Sequence, residues 1–358
     1  MVLEFLYLKN FKIYPEFEIS PHPSFNFFIG PNGSGKTTVL ESISLLLSGK
    51  SFKNMSDLHL IRHGEKDFYA ACRLKEDGVS SRLEIKFESR KKNKELLLDQ
   101  KKVTSYKELL IRFPFVFSIS EDHEIITGSP DSRRRFFDRL ISYVDPAYFD
   151  QLLRYQNVLK QRNAVLKKHE TALLAFWDEE LIRLSRQISR TRQHYVQEIN
   201  LLFKEYKNLP KTFENVHFTY TPSCHENEME TQLIKNVKKD LILGYTSVGI
   251  HRDDFLLSYD FGLARNYASQ GQLKSLSFYL KFLQAVMIQK KTERNPVFLL
   301  DDVFSELDSE NRKKMLELAG ETGLQIFLSA TKEDLPFNLL DSIPHQIFKI
   351  NNRQVNPQ

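Results

Sequence analysis

Gly30-Pro31-Asn32-Gly33-Ser34-Gly35-Lys36-Thr37 is the stretch from which the rest of the chain is read. It satisfies G-x-x-x-x-G-K-[ST] in full, a pattern that arises by chance in a chain this long roughly once in a hundred. Ser24-Phe25-Asn26-Phe27-Phe28-Ile29 directly before it reads as a buried strand. From Lys36 to Leu47, apolar residues fall at Val39, Leu40, Ile43, Leu46 and Leu47, a helical spacing. Strand, glycine loop and helix in that order are the context a phosphate-binding loop requires. Gly30, Gly33 and Gly35 let successive backbone N–H groups turn toward one anion, and the helix start adds partial positive charge. Lys36 is expected to reach the β and γ phosphates of ATP and to serve the reaction, and the Thr37 hydroxyl to ligate Mg²⁺. Gly30, Pro31, Asn32, Gly33, Ser34, Gly35, Lys36, Thr37 and Thr38 form the expected nucleotide-binding set. The bland alternative is a glycine-rich turn ahead of an ordinary surface helix.

Such a loop needs an acid at the end of a neighbouring strand. Pro296-Val297-Phe298-Leu299-Leu300-Asp301-Asp302 supplies one, with four apolar residues in a row, as a doubly buried parallel strand has, and then two carboxylates. Asp301 is the expected Mg²⁺ ligand, and Asp302 the residue placed to orient the attacking water as a general base. Two adjacent acids at a buried strand end are costly without a cation, which weighs against a purely structural role. Leu96-Leu97-Leu98-Asp99 has a similar look, but Gln100-Lys101-Lys102 follows, so it reads as a hairpin turn with its aspartate exposed.

The chain's 358 residues fit two domains, and its hydrophobic fraction of 41% is ordinary for a soluble protein. No apolar run approaches the roughly 18–20 residues of a membrane span, and the alternating N-terminus lacks the features of a signal peptide. Cys72 and Cys224 lie far apart and form no metal or disulfide framework, so a reduced, cytoplasmic protein is expected. The net charge of +5 permits nucleic-acid binding without arguing for it.

The early segments 2–8, 15–19 and 24–29 read as strands. Arg82–Phe87 and Glu95–Val103 read as hairpin strands turning near Asp99-Gln100. From Asp145 to about Leu209 glycine disappears. Phe149, Leu152, Gln156, Leu159, Asn163 and Leu166 repeat at alternating spacings of three and four, as do Leu174, Trp177, Leu181, Leu184, Ile188, Thr191 and Tyr195. That period predicts two helices forming a short antiparallel coiled-coil hairpin. Strands near 213–220, 255–260, 296–301 and 324–329 then alternate with helices at 227–242, 270–290 and 306–318.

The long gap between Lys36 and Asp301, with a helical hairpin inside it, resembles ABC-type ATPases of the SMC class. In that class a Ser-Gly signature precedes the acid strand and binds the γ-phosphate held by the other subunit. Ala268-Ser269-Gln270-Gly271-Gln272 fills this slot, with Ser269 as N-cap of a helix whose Leu273, Leu276, Leu280 and Leu283 share a face. The resemblance implies nucleotide contacts in trans from Ser269, Gly271 and Gln272. Ser305-Glu306-Leu307-Asp308 resembles the D-loop that crosses such a dimer interface.

Over essentially its whole length the chain resembles the RecF family of bacterial recombination mediators. The residues that carry this are Phe11-Lys12, Ser51-Phe52-Lys53, Gly128-Ser129-Pro130 leading into Arg133-Arg134-Arg135-Phe136-Phe137-Asp138, Gln161-Arg162-Asn163, Gly249-Ile250-His251-Arg252-Asp253-Asp254 and Leu299 through Asp308. Three places depart from the common pattern. Ser120-Glu121-Asp122, in the segment corresponding to the Q-loop, lacks a preceding proline; Ile250 stands for a usual proline; and Ala330-Thr331 occupies the place of the switch histidine of many ABC proteins.

The implied fold is α/β: an ABC-type P-loop ATPase head, residues 1–120 and 208–358, with an inserted α-helical coiled-coil arm at 121–207. The resemblance further implies an ATP-driven homodimer that clamps DNA, single-stranded and duplex, without reading bases. RecO and RecR are the implied partners in loading RecA, and no membrane is involved. Arg133, Arg134 and Arg135 cannot share one helix face, so one or two are expected to face solvent and meet phosphates. Arg183, Arg186 and Arg190 share a face beside the apolar seam, where they suit either DNA or the charged flank of any coiled coil. An ABC module acting on a protein or nuclease partner is the alternative reading.

Overall fold

The structure, a computed structural model, describes residues 1–53, 55–206, 209, 215–304, 307, 309–334, 343–351 and 354–357. Two compact units emerge. One is discontinuous, Met1–Asp122 with Lys274–Gln358; the other is His123–Leu273.

The chain enters through β1 (Val2–Phe11), β2 (Tyr14–Ile19) and β3 (Phe25–Ile29), then α1 (Lys36–Ser48). Next come β4 (Asp67–Glu76), β5 (Val79–Glu88), β6 (Asn93–Leu98), β7 (Lys101–Lys102), α2 (Tyr106–Arg112) and β8 (Phe115–Ile119). The second unit holds α3 (Glu124–Thr127), α4 (Pro130–Val144), α5 (Pro146–Lys168), α6 (Leu174–Glu205), β9 (His217–Thr221), α7 (Met229–Leu243), β10 (Asp254–Tyr259), β11 (Gly262–Leu263) and α8 (Ala264–Tyr267). Helix α9 (Gln270–Thr292) leads back to β12 (Val297–Asp301), α10 (Ser309–Glu321), β13 (Ile326–Ala330), β14 (His345–Asn351) and β15 (Gln354–Pro357).

Among the described residues the first unit carries two sheets. One is antiparallel, in the order β2-β1-β4-β5-β6-β7; the other runs β15-β14-β3-β13-β12-β8, with every pair parallel except β14–β15. Parallel strands buried on both faces need apolar residues at consecutive positions. Phe25–Ile29, Val297–Leu300 and Ile326–Ala330 are buried at every position, and all their residues are apolar except Asn26 and Ser329. Each such Leu, Ile or Phe contributes about 1.5–3 kcal/mol on leaving water. The register aligns Asp301 with Ser329 and Ala330 with Ile29, so β3, β13 and β12 finish together. In an α/β sheet, ligands collect at these carboxyl ends.

The Asp99-Gln100 turn joins β6 to β7 with both residues at positive φ, and Asp99 is exposed, as read from sequence. The sequence reading places no element at β4, α2, β8, β14 or β15.

In the second unit, Asp145 caps α5 by accepting from the N–H groups of Ala147 and Tyr148, and His169 ends that helix in the left-handed conformation. Helices α5 and α6 pack on each other as the expected hairpin. The unit reaches further than the 121–207 arm: it closes at Leu273, and 208–273 belongs with it rather than with the head. The sheet β11-β10-β9 packs on α4 and α6, where Phe137 stacks on Phe255 at 4.1 Å and meets Phe218 edge-on at 4.9 Å. Residues 213–214 of the expected strand, and 207–208 at the expected boundary, lie outside the described residues.

Candidate functional site

The phosphate loop runs from the end of β3 into α1. Its turn is closed by Ser34 N–H to the Pro31 carbonyl at 3.2 Å, and α1 begins with Thr38 N–H to the Gly35 carbonyl at 3.0 Å. Gly35 sits at φ +114, and a Cβ there would come within 2.4 Å of Ile13 and 2.6 Å of the Tyr14 hydroxyl. Only glycine fits this position. Lys36 turns its ammonium back over the loop, donating to the carbonyls of Gly30 at 2.7 Å and Pro31 at 3.0 Å. Burial lowers its pKa, while the charges of Asp302, Asp301 and Asp334 act in the opposite direction. The Ser34 hydroxyl is buried with no hydrogen-bond partner. A cavity of about 580 Å³ opens beside Gly30, Pro31 and Asn32, bounded by Thr331, Lys332 and Ile347.

The end of β12 lies against the start of α1. The Thr37 hydroxyl donates to Asp301 Oδ1 at 2.8 Å, across a sequence separation of 264. Ser329, on β13 between the two strands, donates its hydroxyl to the same oxygen at 2.7 Å and accepts from the Asp302 N–H at 2.9 Å. Asp302 itself adopts φ 55, a left-handed turn that ends the strand. Ser120 donates to the Asp302 carbonyl at 3.4 Å.

Ser329 and Asp334 were not singled out from the sequence. Asp334 accepts from the Thr331 N–H at 3.3 Å and hydroxyl at 2.5 Å, and pairs with Arg312. The spacing Thr331-x-x-Asp334 was the available signal for it. Asp122 is not turned toward the acids. It is buried, accepts from the Ile119 N–H at 2.9 Å and pairs with Lys281 at 3.1 Å.

These residues suit a triphosphate with Mg²⁺. No cluster of three or more His, Cys, Asp or Glu that could hold a metal ion exists among the described residues. Mg²⁺ instead favours one or two protein oxygens completed by phosphate and water. Thr37 and Asp301 are such a pair, and the unsatisfied Ser34 hydroxyl marks a polar guest.

In the other unit, Ser269 and Gln272 form a capping box. The Gln272 N–H donates to the Ser269 hydroxyl at 3.3 Å, and the Gln272 side chain accepts from the Ser269 N–H at 2.8 Å. Ser269, Gln270 and Gly271 are exposed, and nothing lies within 4 Å of where a Gly271 Cβ would stand. Ser305, Glu306 and Asp308 of the expected D-loop lie outside the described residues.

A family model described as the RecF/RecN/SMC N terminal domain matches residues 2–353. DNA replication and repair protein RecF of Cytophaga hutchinsonii is 34% identical over 343 residues, covering 93% of this chain and 90% of that one. The chain belongs to the RecF family. RecF of Leptospira interrogans is likewise 34% identical, over the full length of both chains. A solved structure of the recombination mediator protein RecF with ATP, in the RecFOR pathway, superimposes with a TM-score of 0.86 at 29% identity, covering 100% of this chain and 97% of that one. An Smc head bound to the C-winged helix domain of ScpA shares the fold, with a TM-score of 0.58 at 16% identity. The architecture is thus the ABC-type head of the RecF and SMC class with its helical insertion.

The RecF-family landmarks now have physical explanations. Lys12 and Ser51 both reach Glu41, fully buried on α1. Arg133 faces inward, its side chain 2% exposed, in a two-pronged pair with Asp254 at 2.6 and 2.9 Å. Arg134 donates to the Asp253 carbonyl, while Arg135 is 71% exposed beside Asp131. Arg135 is therefore the solvent-facing member of the three. Arg162 is fully buried between Asp178 and Asp240. On α6, Arg183 pairs with Glu180 and Arg190 with Glu226, and Arg186 donates to the Glu226 carbonyl. Arg183 and Arg190 are thus paired with neighbouring acids while remaining 47% and 70% exposed.

Proposed function

We propose that this chain is an ATP-dependent DNA-binding protein of recombinational repair whose ATP-driven dimer clamps DNA. The observation that carries this is the Thr37–Asp301 hydrogen bond with Ser329 behind it, in a chain of the RecF family. Lys36 and the loop N–H groups hold the phosphates of substrate ATP. Thr37 and Asp301 hold Mg²⁺, which supplies positive charge against the phosphate oxygens. Asp302 orients the attacking water. Ser269 and Gly271, exposed on the second unit, complete with Gln272 the site of a second copy, which makes dimerisation the reporter of bound ATP.

Hydrolysis is then a slow, DNA-stimulated switch. An aspartate at position 302 is one methylene shorter than a glutamate, and its reach to water is correspondingly smaller. Duplex DNA and gap junctions are the proposed substrates of the clamp, with RecO and RecR as partners in loading RecA and with roles in replication restart and SOS induction. The protein acts in the cytoplasm; among the described residues no helix is long and apolar enough to cross a membrane.

The self-paired arm arginines favour a second reading, an ATPase module acting on a protein or nuclease partner. DNA binding with ATP at two salt concentrations, with hydrolysis measured in parallel, separates the two. The clamp reading expects binding that weakens steeply with salt and turnover that rises with DNA. Dimerisation on ATP with no DNA binding at either salt contradicts it.

A further inference from the structure

Phe261 lies in the two-residue tip Asp260-Phe261, between Tyr259 and Gly262, which pair across β10 and β11. Such tips are ordinarily filled by Asn, Asp, Gly or Ser. Phe261 is instead 68% exposed, and Tyr267, at the end of α8, is 59% exposed. The two rings are ordered. Phe261 stacks on buried Tyr259 at 5.1 Å with 7° between the planes, and Tyr267 meets Phe261 edge-on at 5.2 Å. Gly262, at φ +149, admits the Tyr267 ring, which a Cβ there would meet at 2.4 Å. A single exposed ring is ordinary, but two rings locked into one exposed ledge mark a binding surface.

The ledge continues into the signature. Tyr267 stands two positions before Ser269, and Arg265, Ser269 and Gly271 are all exposed. Among the described residues the cavity beside the phosphate loop offers no such surface. No aromatic side chain lines the described part of its cavity, and Tyr14, which touches the Gly35 carbonyl, is buried. One feature holds phosphates without a ring, and the other offers rings beside a serine expected to meet a phosphate.

We propose that Phe261 and Tyr267 receive the purine base of the nucleotide whose phosphates lie in the phosphate loop of a second copy. This rests on the ATP-dependent dimer proposed above. Two residues of extended chain span about 7 Å, and the tyrosine side chain adds to that, so the ledge reaches well past the terminal phosphate. Stacking of a base on an aromatic ring is worth about tenfold in affinity, and every purine has the face for it.

The test is sedimentation velocity, titrating ATP against ribose 5-triphosphate, which keeps the phosphates and lacks the base. Wild type is expected to dimerise at about tenfold lower ATP than ribose triphosphate. Tyr267→Ala and Phe261→Ser are expected to raise the ATP requirement about tenfold and leave the ribose triphosphate requirement unchanged; Tyr267→Phe keeps the wild-type ratio. Equal weakening with both nucleotides assigns the ledge to protein contact and overturns the proposal. Unchanged dimerisation with weakened DNA binding assigns it to DNA and overturns it as well. A wild type that binds ATP and stays monomeric removes the dimer reading itself. A wild type that dimerises beside variants with an unchanged ratio removes the ledge proposal alone.

Discussion

Ser329 is where the two strand ends meet the phosphate loop. Its one hydroxyl donates to the Asp301 carboxylate and accepts from the Asp302 backbone N–H, so it ties the Asp301 side chain to the main chain at Asp302. Ser329→Ala leaves a buried N–H without its partner and frees Asp301 to rotate, a loss of about 1–2 kcal/mol. Steady-state hydrolysis is expected to fall about tenfold while equilibrium ATP binding stays within twofold; a wild-type rate removes Ser329 from the site. A second residue with a legible charge state is His251. Burial, the leading cause, lowers its pKa to about 4 from 6.5. Nε2 donates to the Thr246 carbonyl, so Nδ1 accepts from the Tyr155 hydroxyl. The neutral ring belongs to the folded state, and the unfolded chain takes up the proton first as pH falls. Stability is therefore level above about pH 6.5 and declines as pH falls through the window from 6.5 to 4, by at most about 3 kcal/mol. Urea midpoints at pH 7 and 5 measure this. His251→Gln is expected to flatten the difference, and an unflattened profile shows that other groups carry the acid sensitivity.

Among the elements, α6 carries a buried charge tie of the second unit. Arg192, its side chain 1% exposed, donates to Asp138 of α4 at 2.9 Å, to Asp253 just before β10 at 3.0 Å and to the Ile250 carbonyl at 2.7 Å. Arg192→Leu leaves Asp138 and Asp253 without this counter-charge, at a cost of about 3–5 kcal/mol. Chemical denaturation followed by far-UV circular dichroism is expected to show that loss, and a change below about 1 kcal/mol contradicts the assignment. The same elements show what the sequence makes legible. The phosphate loop, the acids at the end of β12 and the helical hairpin follow from residue types that only a few arrangements allow. The seam of the hairpin was placed one residue off on α5. Gln156 is exposed, and Tyr155 and Arg162 are buried where Gln156 and Asn163 were expected. Hydrophobic period alone treats an arginine as outside, and Arg162 is inside because Asp178 and Asp240 neutralise it from other parts of the chain. Similarly, 208–273 was given to the head because strand–helix alternation carries no information about which sheet a strand joins.

At the scale of the whole molecule, the proposed function places half of a nucleotide site on each of two units and requires a second copy to complete it. Within the first unit, β3, β13 and β12 end together and bring Thr37 to Asp301. In the second, the capping box at Ser269 leaves Gly271 and the helix start exposed. The measurement that tests this most directly is sedimentation velocity with ATP on wild type, Lys36→Ala, Ser269→Arg and an equal mixture of the two variants. Wild type is expected to dimerise and each variant alone to remain monomeric. The mixture is expected to form heterodimers, because one pairing retains a single intact site built from the loop of one copy and the signature of the other. Dimerisation of Lys36→Ala alone to the wild-type extent, or of Ser269→Arg alone, would contradict a nucleotide shared between copies.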